Sequence, residues 1–416
     1  MKRTLIICAA LLLMTGDAFA QKANVKKLKS KIEYASTPMA LDFNNVEPEK
    51  VQELKDLIEP ALTNPESEND VDLWKYASRM KLYDMNEMMK QRVANNNEFV
   101  DATAFFDNQK DIVTYYEKYY ELLNTPNEKG KLPLKGEELQ KEISLAQQLA
   151  TNPRNNLYIA ATNEYEKDPK KAVEYLDTYY ASFDHPLFNG LATDDDKARM
   201  QDGYYVYAKA LQNSGADAAK VKEILTKAMD SPSFGKNACF DLMEVEKAAG
   251  NMDAWKSICE QGIDKYPDEG IFGRLLMQQY IADKQDDKVM ALADKLIEKN
   301  KTAGVTDEWP YYFKAVTLFN GEKYKEAYDA FLAVGEVNPE FLEAYTNAGT
   351  TAWKLAQINA TNKTVSKQWY EKAIQNFKKA EAMAPDQPDK WGYSLYACYN
   401  NSGQLDKAAQ YKKYNK

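Results

Sequence analysis

The chain has little with which to do acid–base, thiol or metal chemistry. Its 416 residues include one histidine, His185, and four cysteines. HExxH, CxxC and GxSxG motifs are absent, and no glycine loop is built to cradle a phosphate. A zinc site takes several His or Cys ligands, and an activated nucleophile needs an oriented base, so His185 has no companions for either role. Within Asp184-His185-Pro186 it reads as a loop histidine bonded to the backbone. The acidic clusters Asp194-Asp195-Asp196 and Asp283 to Asp287 lack the alternating ligands and central glycine of a calcium loop. Capping of the helices that follow explains both. The sequence therefore predicts no cofactor, no metal site and no catalytic residue.

Long apolar runs are equally scarce. The one near the amino terminus spans Leu5 to Met14, behind Lys2 and Arg3 and ahead of Ala18-Phe19-Ala20. Basic head, short apolar core and A-x-A read as a signal peptide over residues 1–20. The run is too short for a bilayer, which needs roughly 20 residues. The mean hydropathy of −0.64 fits a water-soluble mature chain with no membrane insertion. Excess basic charge is missing too. Without Lys2, Arg3 and Asp17 the balance is 52 basic against 62 acidic residues. That excludes the electrostatic footprint of a nucleic-acid binder and leaves solubility through self-repulsion as the reading. Beyond Cys8 the cysteines are Cys239, Cys259 and Cys398, an odd number. Cys239 and Cys259 lie symmetrically about Gly250, so the spacing admits a bridge. Buried thiols acting as small hydrophobes are the preferred reading.

What the chain does have is period. In Glu308 to Glu340, Tyr311, Ala315 and Leu318 recur at helical spacing until Asn320-Gly321. A second run carries Ala327-x3-Phe331 and Val334 and stops at Pro339. Thirty-four residues after Ala315 comes Gly349, inside Tyr345-x2-Ala348-Gly349-x2-Ala352, and its second helix carries Ala373-x3-Phe377, Ala380 and Pro385. Other units turn at Gly215, at Gly250, after Gly270 and at Gly403. Six units in register run from about 201 to 416. The spacing also leaves about twelve extra residues between Trp353 and Trp369, an insertion near 357–368. Either a partner-contacting loop or a longer helical pair would account for it. Small residues (Ala315, Gly349, Ala327, Ala373) let two helices approach, and large neighbours (Tyr311, Phe331, Tyr345, Phe377) fill the space beside them. One pair cannot bury its own apolar face, so pairs stack.

The first half is fainter. Helices are predicted at Pro48 to Leu62 with a kink at Pro60, from Asp72 to Met89 or beyond, and at Phe105 to Leu123. A polar loop from Asn124 to Gly136 follows. Further helices are predicted at Glu137 to Ala150, Asn155 to Tyr165 and Lys170 to Phe183, with Asn152-Pro153 dividing the first two. Residues 48–200 read as divergent repeats continuous with the rest, and 21–47 as a short basic helix and lead-in.

These spacings resemble the tetratricopeptide repeat (TPR) superfamily, specifically over 201–416 and loosely over 48–200. The resemblance implies an all-α fold, a right-handed superhelical solenoid of antiparallel helix pairs. The layout is also similar to exported repeat proteins of Gram-negative bacteria, through Gln21 to Lys27 (QKANVKK), Thr103 to Asn108 (TAFFDN), Pro126 to Lys131 (PNEKGK) and Asp184 to Gly190 (DHPLFNG). That similarity implies a periplasmic, cell-envelope or secreted location. It also implies a scaffold whose partner is another protein or peptide of the envelope.

In such an array the first helix of each pair lines the concave face. The register places there Tyr205, Lys209 and Asn213, then Phe240, Glu244 and Lys247, then Arg274 and Gln278. Tyr312, Val316 and Phe319 follow, then Thr346, Thr350 and Trp353. Tyr312 and Phe319 lie seven apart on one helical face, with Trp353 on the same side of the next unit, which suits a groove for an extended or helical peptide. If the register slips by one, the same residues belong to the core. The paired Lys and Asn with which some tetratricopeptide domains grip a terminal carboxylate are not matched, since those places hold Tyr205 and Lys209, Phe240 and Glu244, Arg274 and Gln278. Two alternatives stand beside the scaffold. One is an envelope enzyme on an all-α framework using a carboxylate pair, and the other a passive spacer.

Overall fold

The protein is described by a computed structural model covering residues 25–28 and 48–415. The signal peptide expected at 1–20 and most of the lead-in expected at 21–47 lie outside the described residues. Val25 and Leu28, in the helical turn at 25–28, are buried against Val51, Leu54, Ile58 and Leu73. Every regular element among the described residues is helical. The chain divides into two compact units, one ending at Ala238 and the other beginning at Cys239.

The first unit holds α1 (Pro48–Leu62), α2 (Val71–Ala94), α3 (Ala102–Leu123), α4 (Gly136–Glu164), α5 (Pro169–Asp184), α6 (Asp194–Ser214) and α7 (Ala218–Ala228). The unit boundary falls within α8 (Gly235–Ala248). In the second unit follow α9 (Met252–Lys265), α10 (Ile271–Ala282), α11 (Asp286–Ala303), α12 (Trp309–Asn320), α13 (Tyr324–Val337), α14 (Leu342–Ile358), α15 (Lys363–Met383), α16 (Gly392–Asn401) and α17 (Leu405–Tyr411). Inside each unit a helix packs chiefly on its neighbours in sequence, and alternate helices such as α3 and α5, or α10 and α12, also touch. That is the nearest-neighbour packing of stacked helix pairs. The fold is all-α and tetratricopeptide-like.

Local chemistry sets the ends. Asp70 begins α2 by accepting the Asp72 and Leu73 N–H groups, and Asp168 with Pro169 begins α5 in the same way through Lys171 N–H. Thr193 and Asp196 form a reciprocal capping box at α6. Gly215 closes that helix at φ +75°, a left-handed turn that a side chain would strain.

The small-against-large packing is plain in the α14–α15 pair. A Cβ placed on Gly349 would stand 2.9 Å from the ring of Phe377, which is 1 % exposed. Ala315, Ala327 and Ala373 are completely buried, and Phe331, Tyr345 and Phe377 join them in one core cluster. Each such ring contributes roughly 1.5–3 kcal/mol by leaving water. Tyr311 departs from expectation. It is half-buried, and Phe313 two residues on takes the core place, stacked on Trp309.

One further expectation is corrected. Asn152-Pro153 divides nothing, because α4 runs unbroken from Gly136 to Glu164 with Pro153 buried inside it. Burial of Ala146, Ala150, Leu157 and Ala160 along one face outweighs the hydrogen bond that proline removes. Of the two readings left open for the extra residues near 357–368, the longer helix pair is the one found. α14 and α15 have 17 and 21 residues where α12 and α13 have 12 and 14, so the insertion lengthens a helix pair. α6 runs unbroken across residue 200.

Candidate functional site

Of the fourteen residues proposed for the binding face, none is buried. Asn213, Glu244, Lys247, Gln278 and Thr350 are exposed. The other nine (Tyr205, Lys209, Phe240, Arg274, Tyr312, Val316, Phe319, Thr346 and Trp353) are half-buried. Such intermediate burial is what packing one edge on the core while leaving the other to solvent produces.

In the first unit, Tyr205 stacks on Phe234 with ring centroids 5.2 Å apart, and Asn213 Nδ2 donates to the Tyr165 carbonyl at 3.1 Å. These are joints between helices. The second unit is richer. Phe240 stacks on Phe272 at 4.9 Å. The Arg274 guanidinium lies 4.9 Å from the Trp309 ring, which meets Tyr312 edge-on at 5.7 Å and Phe341 at 5.3 Å. Asn347 Nδ2 donates to the Tyr312 hydroxyl at 3.3 Å, so the tyrosine is tied across α12 and α14. Burial raises the pKa of that hydroxyl, keeping it neutral.

Phe319 meets Tyr324 edge-on at 5.3 Å, and Trp353 lies 6.1 Å from Tyr393, which is 51 % exposed. The indole N–H of Trp353 is buried with no hydrogen-bond partner. Tyr312, Val316, Phe319 and Trp353 all pack against the same core cluster. The structure thus brings Arg274 and Tyr312 together through Trp309, and seats Phe319 and Trp353 on separate rings.

Sequence reasoning missed Trp309, Phe341, Asn347 and Tyr393. Trp309-Pro310 looks like a helix start, and Phe341 lies just outside a helix, so the register of first helices passes over both. A cavity of about 290 Å³ beside Trp309 was also missed. Arg274, Asn300, Asp307 and Glu308 line it together with Asp268. Burial raises the Asp307 carboxyl above its usual range, although it accepts the Trp309 N–H at 3.1 Å.

The suspects for chemistry have structural duties. His185 Nδ1 accepts the Leu187 N–H at 3.2 Å, and burial lowers its pKa against the pull of Glu121. Asp194 to Asp196 occupy the first turn of α6, and Asp286 and Asp287 that of α11. Asp283 caps the end of α10 and pairs with Lys256 at 2.6 Å. Cys239, Cys259 and Cys398 are buried thiols outside any disulfide, and burial pushes those of Cys259 and Cys398 up to about 12. Among the described residues no group of His, Cys, Asp and Glu could hold a metal ion, and no helix is long and apolar enough to cross a membrane. The Glu117 carboxyl is raised to about 7 by burial and then by Glu121. Both acids stand on one face of α3, one turn apart, rather than on opposite walls of a cleft.

Residues 103–108 and 126–131 have structural duties as well. In 103–108, Asn108 Nδ2 donates to the Lys81 carbonyl at 2.8 Å and Asp107 accepts the Tyr175 hydroxyl at 3.0 Å. In 126–131, Asn127 Oδ1 gathers the N–H groups of Lys129 and Lys131.

No family model matches the chain, and no curated protein matches it. Solved structures similar to it include YrrB, described as a TPR protein with an unusual peptide-binding site, at 20% identity. That likeness covers 49% of this chain and 94% of that one, with a TM-score of 0.31. The C-terminal part of a TPR repeat-containing protein from Cytophaga hutchinsonii is 16% identical over 62% of this chain and 93% of its own, with a TM-score of 0.37. Yeast Tom70 is 14% identical over 93% of this chain and 73% of its own, with a TM-score of 0.35.

Proposed function

We propose that the second unit is a binding scaffold whose first helices, α10, α12, α14 and α16, hold an extended or helical segment of another protein. The observation that carries this is the set of half-buried aromatic side chains on those helices. Tyr312, Phe319 and Trp353 are anchored in the core at one edge, and the neighbouring Tyr393 is 51 % exposed. Aromatic rings fixed in this way lose little side-chain freedom when they bind, which is why such residues dominate binding energetics. The reading that this happens in the cell envelope rests on the pattern of residues 1–20 and on the resemblance to exported repeat proteins.

The test is a selection of peptides from a random library against residues 21–416. Binders should emerge, and Tyr312→Ser, Phe319→Ser and Trp353→Ser together should weaken them at least ten-fold while the helical circular dichroism is kept. A passive spacer would yield no binders, or binders indifferent to the three substitutions. A hydrolytic site would be revealed by turnover of envelope glycans that Glu117→Gln abolishes.

A further inference from the structure

Arg154 is the largest completely buried side chain of the first unit, with no solvent exposure. It reaches from α4 to where α5, the 3-10 turn Pro186–Phe188 and α6 meet. Its guanidinium lies 4.5 Å from the ring of Phe183 and 5.0 Å from that of Phe188. Asn155 Oδ1 accepts from both Nε and Nη2, at 3.2 and 3.1 Å. Nη1 is buried and has no hydrogen-bond partner. Tyr179 is also completely buried, meets Phe183 edge-on with centroids 5.0 Å apart, and has a buried hydroxyl without a partner.

The one acid close by does not neutralise this arginine. Asp196 Oδ2 stands 4.0 Å from Nη2, beyond hydrogen-bond reach. That oxygen is already taken by the Thr193 N–H at 3.0 Å and the Thr193 hydroxyl at 2.8 Å. The other, Oδ1, faces Arg199 at 3.4 Å. Arg199, Arg154 and Asp196 are the charged groups that act on the Tyr179 hydroxyl. Arg199 is partly solvent-exposed, with a side chain 37 % accessible, and shares Asp196, so the excess buried charge at the junction is that of Arg154. A buried guanidinium with an unmet N–H costs several kcal/mol unless something satisfies it, and at low dielectric the excess charge favours an anion over a neutral water.

We propose that the junction of α4, α5 and α6 holds a small monovalent anion of chloride size against Arg154 Nη1 and the Tyr179 hydroxyl. Enclosure by the rings of Phe183 and Phe188 limits the ligand to an ion that brings few atoms with it, which excludes phosphate esters and peptide carboxylates. The ion would tie the capping box of α6 to the middle of α4, and so make the stability of the first unit depend on the anion supplied.

Unfolding of the wild-type chain in sodium chloride is compared with unfolding in sodium gluconate at the same ionic strength, since gluconate is too large to enter. For a site half-filled near 10 mM, raising chloride from zero to 100 mM should lower the unfolding constant about ten-fold, and each further doubling should lower it about two-fold again. Bromide should replace chloride. Tyr179→Phe, which removes a hydroxyl with no protein partner and should leave the fold intact, ought to reduce that response at least three-fold, and Arg199→Gln should do the same. Equal stability in chloride and gluconate would mean that the junction holds only water, and would overturn the proposal. So would a chloride response that neither substitution alters, because the ion would then be bound elsewhere.

Discussion

Replacing Gly349 by alanine isolates the contact on which the helix pairs depend. In an unconstrained helix the change would stabilise by about 1 kcal/mol, because glycine is the poorer helix former. Here the added methyl would meet three atoms of the Phe377 ring at 2.9, 2.9 and 3.0 Å. The ring is 1 % exposed and cannot swing away. Overpacking of this kind costs about 1–3 kcal/mol, so the net expectation is a loss of about 1 kcal/mol. Gly262 sharpens the comparison. Its methyl would stand 2.5 Å from the completely buried Phe272, so Gly262→Ala should lose about 2–3 kcal/mol. Gly321 supplies the opposite sign. Its φ is −79° and its nearest neighbour would be 3.4 Å away, so Gly321→Ala should be neutral or gain up to about 1 kcal/mol. Urea unfolding followed by circular dichroism gives the ranking: Gly321→Ala at or above wild type, then Gly349→Ala, then Gly262→Ala. Phe377→Leu should recover part of the Gly349→Ala loss. A Gly349→Ala protein more stable than wild type would refute the reasoning, because α14 and α15 would then not be in contact at that point.

Two further outcomes are expected. Glu117 has a folded pKa of about 7 against an ordinary 4.5, so its contribution is fully present below pH 4.5 and lost as pH rises through 7. Glu117→Gln should match wild type near pH 4 and exceed it by about 1–2 kcal/mol at pH 8, read from urea midpoints across that range. Alkylation mapped by mass spectrometry should find Cys239, Cys259 and Cys398 unmodified in the native protein and all three modified in urea without reductant. Modification of Cys239 and Cys259 only after reduction would reveal a bridge.

The fold was most legible where residue size carries the contact. A glycine and an alanine thirty-four residues apart, each set against an aromatic ring, announced the stacked pairs, and Gly349 against Phe377 bears this out at atomic distance. Turns were legible for the same kind of reason, since few residues but glycine adopt the φ of +75° found at Gly215. Proline was the unreliable signal. Pro339 ends its unit, whereas Pro153 rides inside a 29-residue helix, because tertiary burial of one face decides a matter that local propensity cannot. The insertion near 357–368 was ambiguous because twelve residues make a loop or three helical turns equally well until the partner helix is known. The candidate face was only half legible. A register can say which residues leave the core, but not that Trp309 would carry Arg274 on its ring or that Asn347 would tether Tyr312.

Whether the first helices of the second unit form the binding face is decided by hydrogen exchange with a library-selected peptide. With peptide bound, amide protection should rise in α10, α12, α14 and α16 and stay unchanged in α11, α13 and α15. Protection confined to those second helices, or none anywhere in 239–416 at saturating peptide, would contradict the account.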